Sequence, residues 1–337
     1  MLTAVLLFIL GLVLLIFGGN WFVDGATGVA KRYHIPELLI GATVVSIGTT
    51  LPEVMVSATS AAKGIGDIAY GNAIGSIICN TSLIAALTIA IKPAPVGKKE
   101  LYKPVICFFI AAVFYAATAY ITGYFSRITG IILLAMFIIY MVTTVREAMS
   151  SSKSSASQTG EDEAVSSDDE SGRQQAGGFK ESLVFDIGRI IVGAALITVG
   201  ANLLVDNGTL IATALGVPTS VIALTFVALG TSLPELVTAI TSLAKGHGAL
   251  SLGNVIGANL FNLVLVSGVS MTIQPFHIPV EKTIAGMNAS LVVDTPVMLT
   301  VMLLLTLPAV IKGKLYRAQG IALLAIYVGY IVFQFAL

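Results

Sequence analysis

Two glutamates stand where an ionised side chain is costly. Glu53 closes the run Gly48-Thr49-Thr50-Leu51-Pro52-Glu53 and Glu235 closes Gly230-Thr231-Ser232-Leu233-Pro234-Glu235, each inside a long apolar stretch with no Arg or Lys at its centre. Unpaired in hydrocarbon, each carboxylate costs about 2.5–3.5 kcal/mol on insertion-type scales. Thr49 and Thr50 precede Glu53 by four and three residues, and Thr231 and Ser232 precede Glu235 in the same way. On a helix those spacings put hydroxyls and carboxylate on one face. Ser76 and Asn80 form a further pair four residues apart, with Ala258 and Asn262 as the counterparts. Carboxylates, hydroxyls and amide oxygens, without imidazole or thiolate, suit calcium, sodium or magnesium and argue against zinc, copper or iron.

The prolines add backbone oxygens to this set. A proline inside a helix has no N–H to donate and its ring crowds the carbonyl four residues earlier. For Pro52 that carbonyl belongs to Gly48, and for Pro234 to Gly230. Both helices are therefore expected to break beside Thr49 and Thr231, and irregular backbone at membrane depth is tolerated only where it is buried in protein or lines a cavity.

The elements that must position these groups are written twice. Every feature of the second copy lies 182 residues after its partner: Glu53 and Glu235, Asn72 and Asn254, Asn80 and Asn262, and outward to Asn20, Asp24 and Pro36 with Asn202, Asp206 and Pro218. The chain is 56% hydrophobic and 11% charged, far from the quarter charged that soluble domains carry. Apolar runs long enough to cross about 30 Å of hydrocarbon are predicted at roughly 2–26, 37–62, 68–91, 103–123, 127–148, 183–213, 218–244, 249–273, 290–310 and 316–336. The first is long, lacks a basic leader and a small-residue cleavage site, and reads as a membrane anchor rather than a signal peptide. With the N-terminus outside, the cytoplasmic side holds 15 of the 18 Lys and Arg residues, leaving only Lys63, Arg127 and Lys282 opposite. This imbalance fits the positive-inside rule.

Residues 149–181 are Ser-rich and acidic, with almost no large apolar side chains. Such a composition cannot offset its ordering entropy and is expected to form a disordered cytoplasmic linker. The expected domains are a first five-span repeat (1–148), the linker (149–181) and a second repeat (182–337). Five spans is an odd number, so the second repeat enters the bilayer from the opposite side. The expected fold is an all-α membrane protein of ten transmembrane helices in two inverted-topology five-helix repeats. Lys63 and Lys245 then occupy equivalent positions on opposite faces. Plainer readings cover other residues. Gly71-x-x-x-Gly75 and Gly253-x-x-x-Gly257 are expected to let helices pack closely, and Asn72 and Asn254 to bond across helices. Asp24 and Asp206 sit near span ends, where capping is expected rather than ligation. Asp294-Thr295-Pro296 reads as a helix start at the outer surface. Cys79 and Cys107 form no metal spacing.

The doubled Gly-Thr-[Ser/Thr]-Leu-Pro-Glu and Gly-Asn-x-Ile-Gly motifs resemble the alpha repeats of the cation/calcium antiporter superfamily, and more closely its prokaryotic-type sodium/calcium exchanger branch. The resemblance covers essentially the whole membrane part. It implies ion ligands from the second and third spans of each half: Ser46, Thr49, Thr50, Glu53, Ser76 and Asn80, then Ala228, Thr231, Ser232, Glu235 and Asn262, with the backbone carbonyl as the relevant atom at Ser46 and Ala228. It also implies that spans 1 and 6 slide across the rest to switch access. Two positions depart from the family pattern. Ala258 stands where such exchangers often have serine, which removes a side-chain oxygen. Asn262 stands where they often have aspartate, which leaves two carboxylates and argues against potassium dependence.

The expected function is secondary antiport across the plasma membrane, with sodium entry driving calcium export. Calcium and sodium ions and the lipid bilayer are the expected partners, with no cofactor, nucleic acid or obligate protein partner. A calcium/proton exchanger on the same fold is the alternative; the hydroxyl-rich set favours sodium, because protons need only the carboxylates. A channel or magnesium transporter fits the proline-broken inverted repeat less well than alternating access does. His-Glu-x-x-His and Ser–His pairings are absent from the spans, and the Gly-x-Gly-Asp at residues 64–67 falls between the expected spans 37–62 and 68–91, so an enzyme is not expected.

Overall fold

A computed structural model of the chain describes residues 2–33, 35–93, 96–159, 174–214, 228–280, 283–284 and 286–336. Its helices run α1 (Leu2–Arg32), α2 (Glu37–Ala62), α3 (Gly66–Ile91), α4 (Lys98–Thr122), α5 (Arg127–Thr159), α6 (Gln174–Ala214), α7 (Leu233–Ala244), α8 (Gly248–Ile273), α9 (Ser290–Lys312) and α10 (Arg317–Ala336). A helical turn, Ala228–Thr231, precedes α7. Among the described residues nine helices are long and apolar enough to span a bilayer, and α7 is shorter. The expected span 218–244 starts in residues outside those described. Among the described residues four two-residue strands form two antiparallel pairs: β1 (Tyr124–Phe125) with β2 (Phe276–His277), and β3 (Thr283–Ile284) with β4 (Met287–Asn288).

Helix ends follow local chemistry. Gly123 and Gly313 adopt φ of 60° and 64° and close α4 and α9 in the left-handed conformation that glycine permits. Arg127 Nε and Nη2 donate to the last carbonyls of α8, at Thr272 (2.9 Å) and Ile273 (3.2 Å). Pro308 frees the carbonyl of Leu304 within α9, and Gln319 Nε2 of α10 donates to it at 2.7 Å. The helix at both ends of the expected linker reaches further than its composition suggests, to Thr159 and from Gln174; residues 160–173 lie outside those described.

The expected break at Pro52 does not occur. The helix runs unbroken from Ser46 to Ala62 with Pro52 inside it. One missing N–H removes one bond, and the turns on either side carry the helix across the gap. The irregularity sits upstream instead, as a widened π-helical turn at Gly41–Val45. The second copy does break: the helix stops at Thr231, Ser232 turns at φ −90°, ψ 6°, and α7 starts with Pro234 in its first turn. There a missing N–H costs nothing.

Contacts between loops sort by parity. His247 before α8 meets Glu37 at the start of α2 (2.8 Å), Val96 N donates to Gly313 O (2.9 Å), and Arg32 at the end of α1 pairs with Asp186 of α6 (3.2 Å). On the opposite side Ile278 N donates to Gly123 O at 3.0 Å, and Phe276 packs over Gly66. Odd-numbered turns meet odd and even meet even, as alternate crossing requires. In the middle, α8 is the most enclosed span, with 89% of its apolar window buried, against 22% for α6 at the periphery. Phe261, Tyr115, Phe108 and Phe125 fill the core around it.

Candidate functional site

Glycines set how closely the second repeat approaches the first. A Cβ on Gly257 would lie 2.6 Å from Ala42 Cα, and one on Gly253 would run into the backbone of Leu38. Only hydrogen at these positions lets α8 lie against the first turns of α2. The close-packing reading therefore holds for Gly253 and Gly257. Gly71 and Gly75 meet nothing within 4 Å among the described residues, and the equivalent partner segment lies in 215–227. The approach brings Asn254 to α2. Thr49 Oγ1 donates to Asn254 Oδ1 at 3.2 Å, and Ser46 Oγ lies 2.7 Å from Gly41 O and 2.9 Å from Asn254 O.

The other repeat makes the mirrored contact. Thr231 Oγ1 donates to Asn72 Oδ1 at 3.2 Å, and Asn72 Nδ2 donates onward to Ser57 Oγ (2.8 Å) and Glu53 O (3.2 Å). Ser232 Oγ and Ser76 Oγ stand 3.5 Å apart across the same interface. The asparagines expected to bond across helices thus bond across repeats, each receiving the threonine of the opposite motif. The sequence favours cross-helix bonding for them over lining the pathway; their fixed offset from the glutamate motifs is the signal that ties them to the site.

Glu53 and Glu235 have no solvent exposure. The four carboxylate oxygens complete no hydrogen bond among the described residues, and the same holds for Thr50 Oγ1 and both amide atoms of Asn80 and Asn262. Glu53 and Glu235 are carried by helices, α2 and α7, that pack against each other. Both asparagines open π-helical turns at equivalent positions, Asn80–Ala85 in α3 and Asn262–Val266 in α8. Such widened turns recur at functional sites because they redirect side chains and loosen the backbone ladder.

Of the residues singled out from sequence, Ser46 and Thr49 meet Asn254, Thr231 and the Glu53 carbonyl meet Asn72, and Ser76 faces Ser232, while Thr50 and Glu235 complete no side-chain hydrogen bond among the described residues. Asn80 and Asn262 lie one turn beyond Ser76 and Ala258. Ala228 opens the turn that leads to Ser232. Cys79 is buried beside the cluster, its thiol 3.8 Å from Tyr327 Oη. Among the described residues no group of three or more His, Cys, Asp or Glu side chains could hold a metal by itself. What converges is two carboxylates among neutral oxygens, a set that suits a hard cation whose charge offsets theirs.

The profile described as "Sodium/calcium exchanger protein" matches residues 3–146 and 185–336, which leaves out little more than the expected linker. The chain belongs to the sodium/calcium exchanger family. It is 36% identical to an uncharacterised membrane protein of Methanocaldococcus jannaschii, covering 95% of this chain and 94% of that one. It is 29% identical to the sodium/calcium exchanger MaX1 of Methanosarcina acetivorans, covering 98% of each. A solved structure of the sodium-calcium exchanger NCX_Mj, soaked with sodium and strontium, superposes with a TM-score of 0.79 at 33% identity over 98% of both chains. The all-helical, two-repeat membrane architecture read from sequence is therefore that of a family of transporters.

Proposed function

We propose that the chain moves calcium out of the cell against sodium entry, binding both ions between Glu53 and Glu235 and exposing them alternately to the two faces of the plasma membrane. The N-terminus lies outside and the central segment in the cytoplasm. The observation that carries this reading is the pair of fully buried carboxylates, without a hydrogen bond among the described residues, supplied by repeat-equivalent positions. Thr49, Thr50, Thr231, Ser232, Ser76, Asn80 and Asn262 complete the oxygen set, with the carbonyls of Ser46 and Ala228.

Coupling follows from electrostatics. One calcium ion, or several sodium ions, offsets the charge of the two carboxylates and lets the loaded cavity close. Unloaded, the closed cavity holds two uncompensated charges, at about 2.5–3.5 kcal/mol each. That penalty suppresses return without cargo and hence leak. The unpartnered Thr50 hydroxyl is an acceptor that sodium can use and that proton exchange does not need.

Purified protein in vesicles tests this, with calcium flux driven in turn by sodium, potassium and pH gradients. Flux that follows the sodium gradient alone is the expected result. Flux that follows only the pH gradient would replace this reading with proton exchange.

A further inference from the structure

Duplication gives each residue of one repeat a counterpart on the opposite membrane face, and one such set is used on one side only. Lys245 Nζ donates to Asp24 Oδ1 at 2.6 Å and to Asn20 O at 3.1 Å, fastening α1 to the end of α7. The counterparts, at the 182-residue offset, are Lys63 after α2, with Asp206 and Asn202 on α6. Locally the two lysines are alike. Lys63 ends its helix at φ −85°, ψ 1° and Lys245 at φ −82°, ψ −1°. Each is followed by a left-handed glycine, Gly64 at 76° and Gly246 at 86°. The same backbone presents both ammonium groups, yet Lys63 and Asp206 are exposed and make no ion pair with each other. The difference is tertiary: among the described residues α1 lies along α7 over more of its length than α6 lies along α2.

The helices that carry the two aspartates form one unit. A Cβ on Gly193 would lie 2.6 Å from Phe22 N, and one on Gly200 2.8 Å from Gly11 O, so the backbones of α1 and α6 touch along their length. Arg32 and Asp186 tie their ends at 3.2 Å. A shift of this pair that withdraws Asp24 from Lys245 carries Asp206 with it.

We propose that Lys245–Asp24 and Lys63–Asp206 are alternating latches: each closes one membrane face by fastening the α1–α6 pair to an ion-binding repeat, and only one is made at a time. This rests on the reading of the chain as an alternating-access exchanger. The closed latch has the strength such a cycle needs. Lys245 and Asp24 are 27% and 44% exposed, so water screens the pair, and it can be traded rather than locking the protein. Because the repeats supply the same residue types on both faces, breaking one latch is offset by making the other.

Cross-linking tests the exchange of partners. Lys245→Cys with Asp24→Cys, Lys63→Cys with Asp206→Cys, and a protein carrying all four changes are treated during turnover with a short, reducible bis-methanethiosulfonate. Bridged peptides are identified by mass, which separates them from native Cys79 and Cys107. Each double variant should bridge, lose at least tenfold of its flux and regain it on reduction. The two bridged proteins should bind calcium presented from opposite faces. The four-cysteine protein should carry one bridge or the other, never both in a molecule. Both bridges together overturn the proposal, as does bridging at Lys245–Asp24 with none at Lys63–Asp206. A charge swap covers the case in which the second pair fails to fold as cysteines. Lys63→Asp should cut flux at least tenfold and adding Asp206→Lys should restore threefold or more; no restoration overturns the latch. Wild-type protein that moves no calcium on a sodium gradient defeats the exchanger reading, whereas normal flux without exclusive bridging defeats the latch alone.

Discussion

Glu235→Gln keeps the volume of the side chain and removes one unit of charge from a place where neither carboxylate oxygen completes a hydrogen bond among the described residues. Two effects of opposite sign follow. The bound calcium ion loses one of two buried counter-charges. Removing one member of a buried charge pair costs about 3–5 kcal/mol, which at about 1.4 kcal/mol per tenfold weakens calcium binding roughly 150- to 4,000-fold. The ion-free protein moves the other way. Glu235 has no exposure, so glutamine relieves the cost of desolvating a carboxylate. Even about 1–2 kcal/mol recovered raises the melting temperature by a few degrees. The assay pairs sodium-driven calcium uptake into vesicles with thermal unfolding in detergent, with and without calcium. Uptake should fall at least about a hundredfold, the calcium-dependent rise in melting temperature should vanish, and the calcium-free melting temperature should increase. Uptake within threefold of wild type refutes the reasoning. So does a lower calcium-free melting temperature with the calcium-dependent rise intact. Glu53→Gln should repeat the pattern, because Glu53 holds the repeat-equivalent position and is equally buried.

Asn72→Ala and Asn254→Ala each remove the acceptor for a threonine of the opposite repeat; at about 1–3 kcal/mol for a stranded buried partner, calcium flux should fall roughly 5- to 150-fold. The loss should be greater for Asn72, which also donates to Ser57 and the Glu53 carbonyl, and equal, near-wild-type rates would contradict the cross-repeat role. Asn262→Asp adds a third carboxylate at a π-turn inside the cluster and should change the ion profile of transport. An unchanged response to sodium, potassium and pH gradients would place Asn262 outside the cavity. Gly257→Ala forces a methyl group onto the α2 backbone, and overpacking of this kind costs about 1–3 kcal/mol, so unfolding in detergent should shift down by several degrees. Gly188→Ala, with nothing within 4 Å of its Cβ, should leave the same measurement unchanged.

Much of this molecule is legible in one dimension because its determinants are local or repeated. The apolar runs mark the spans, and 37–62 coincides with the observed α2, since hydrocarbon thickness and backbone satisfaction dictate where such a helix begins and ends. Glu53 and Glu235 stand out because charge inside an apolar run has a cost that composition alone exposes. Their partnership follows from a constant offset and an odd number of spans.

Other features were settled by packing between segments far apart in the chain. One proline motif keeps a continuous helix at Pro52 while its copy restarts at Leu233, although the two sequences are nearly the same. Asn72 and Asn254 find their threonines only once the repeats are docked, because a hydrogen-bond partner some 200 residues away has no local pattern. Lys63 and Lys245 show the limit most plainly. Nearly identical local backbone leaves one ammonium paired and the other, among the described residues, in no ion pair, because the outcome depends on where a neighbouring helix lies, and that position is a property of the assembled fold.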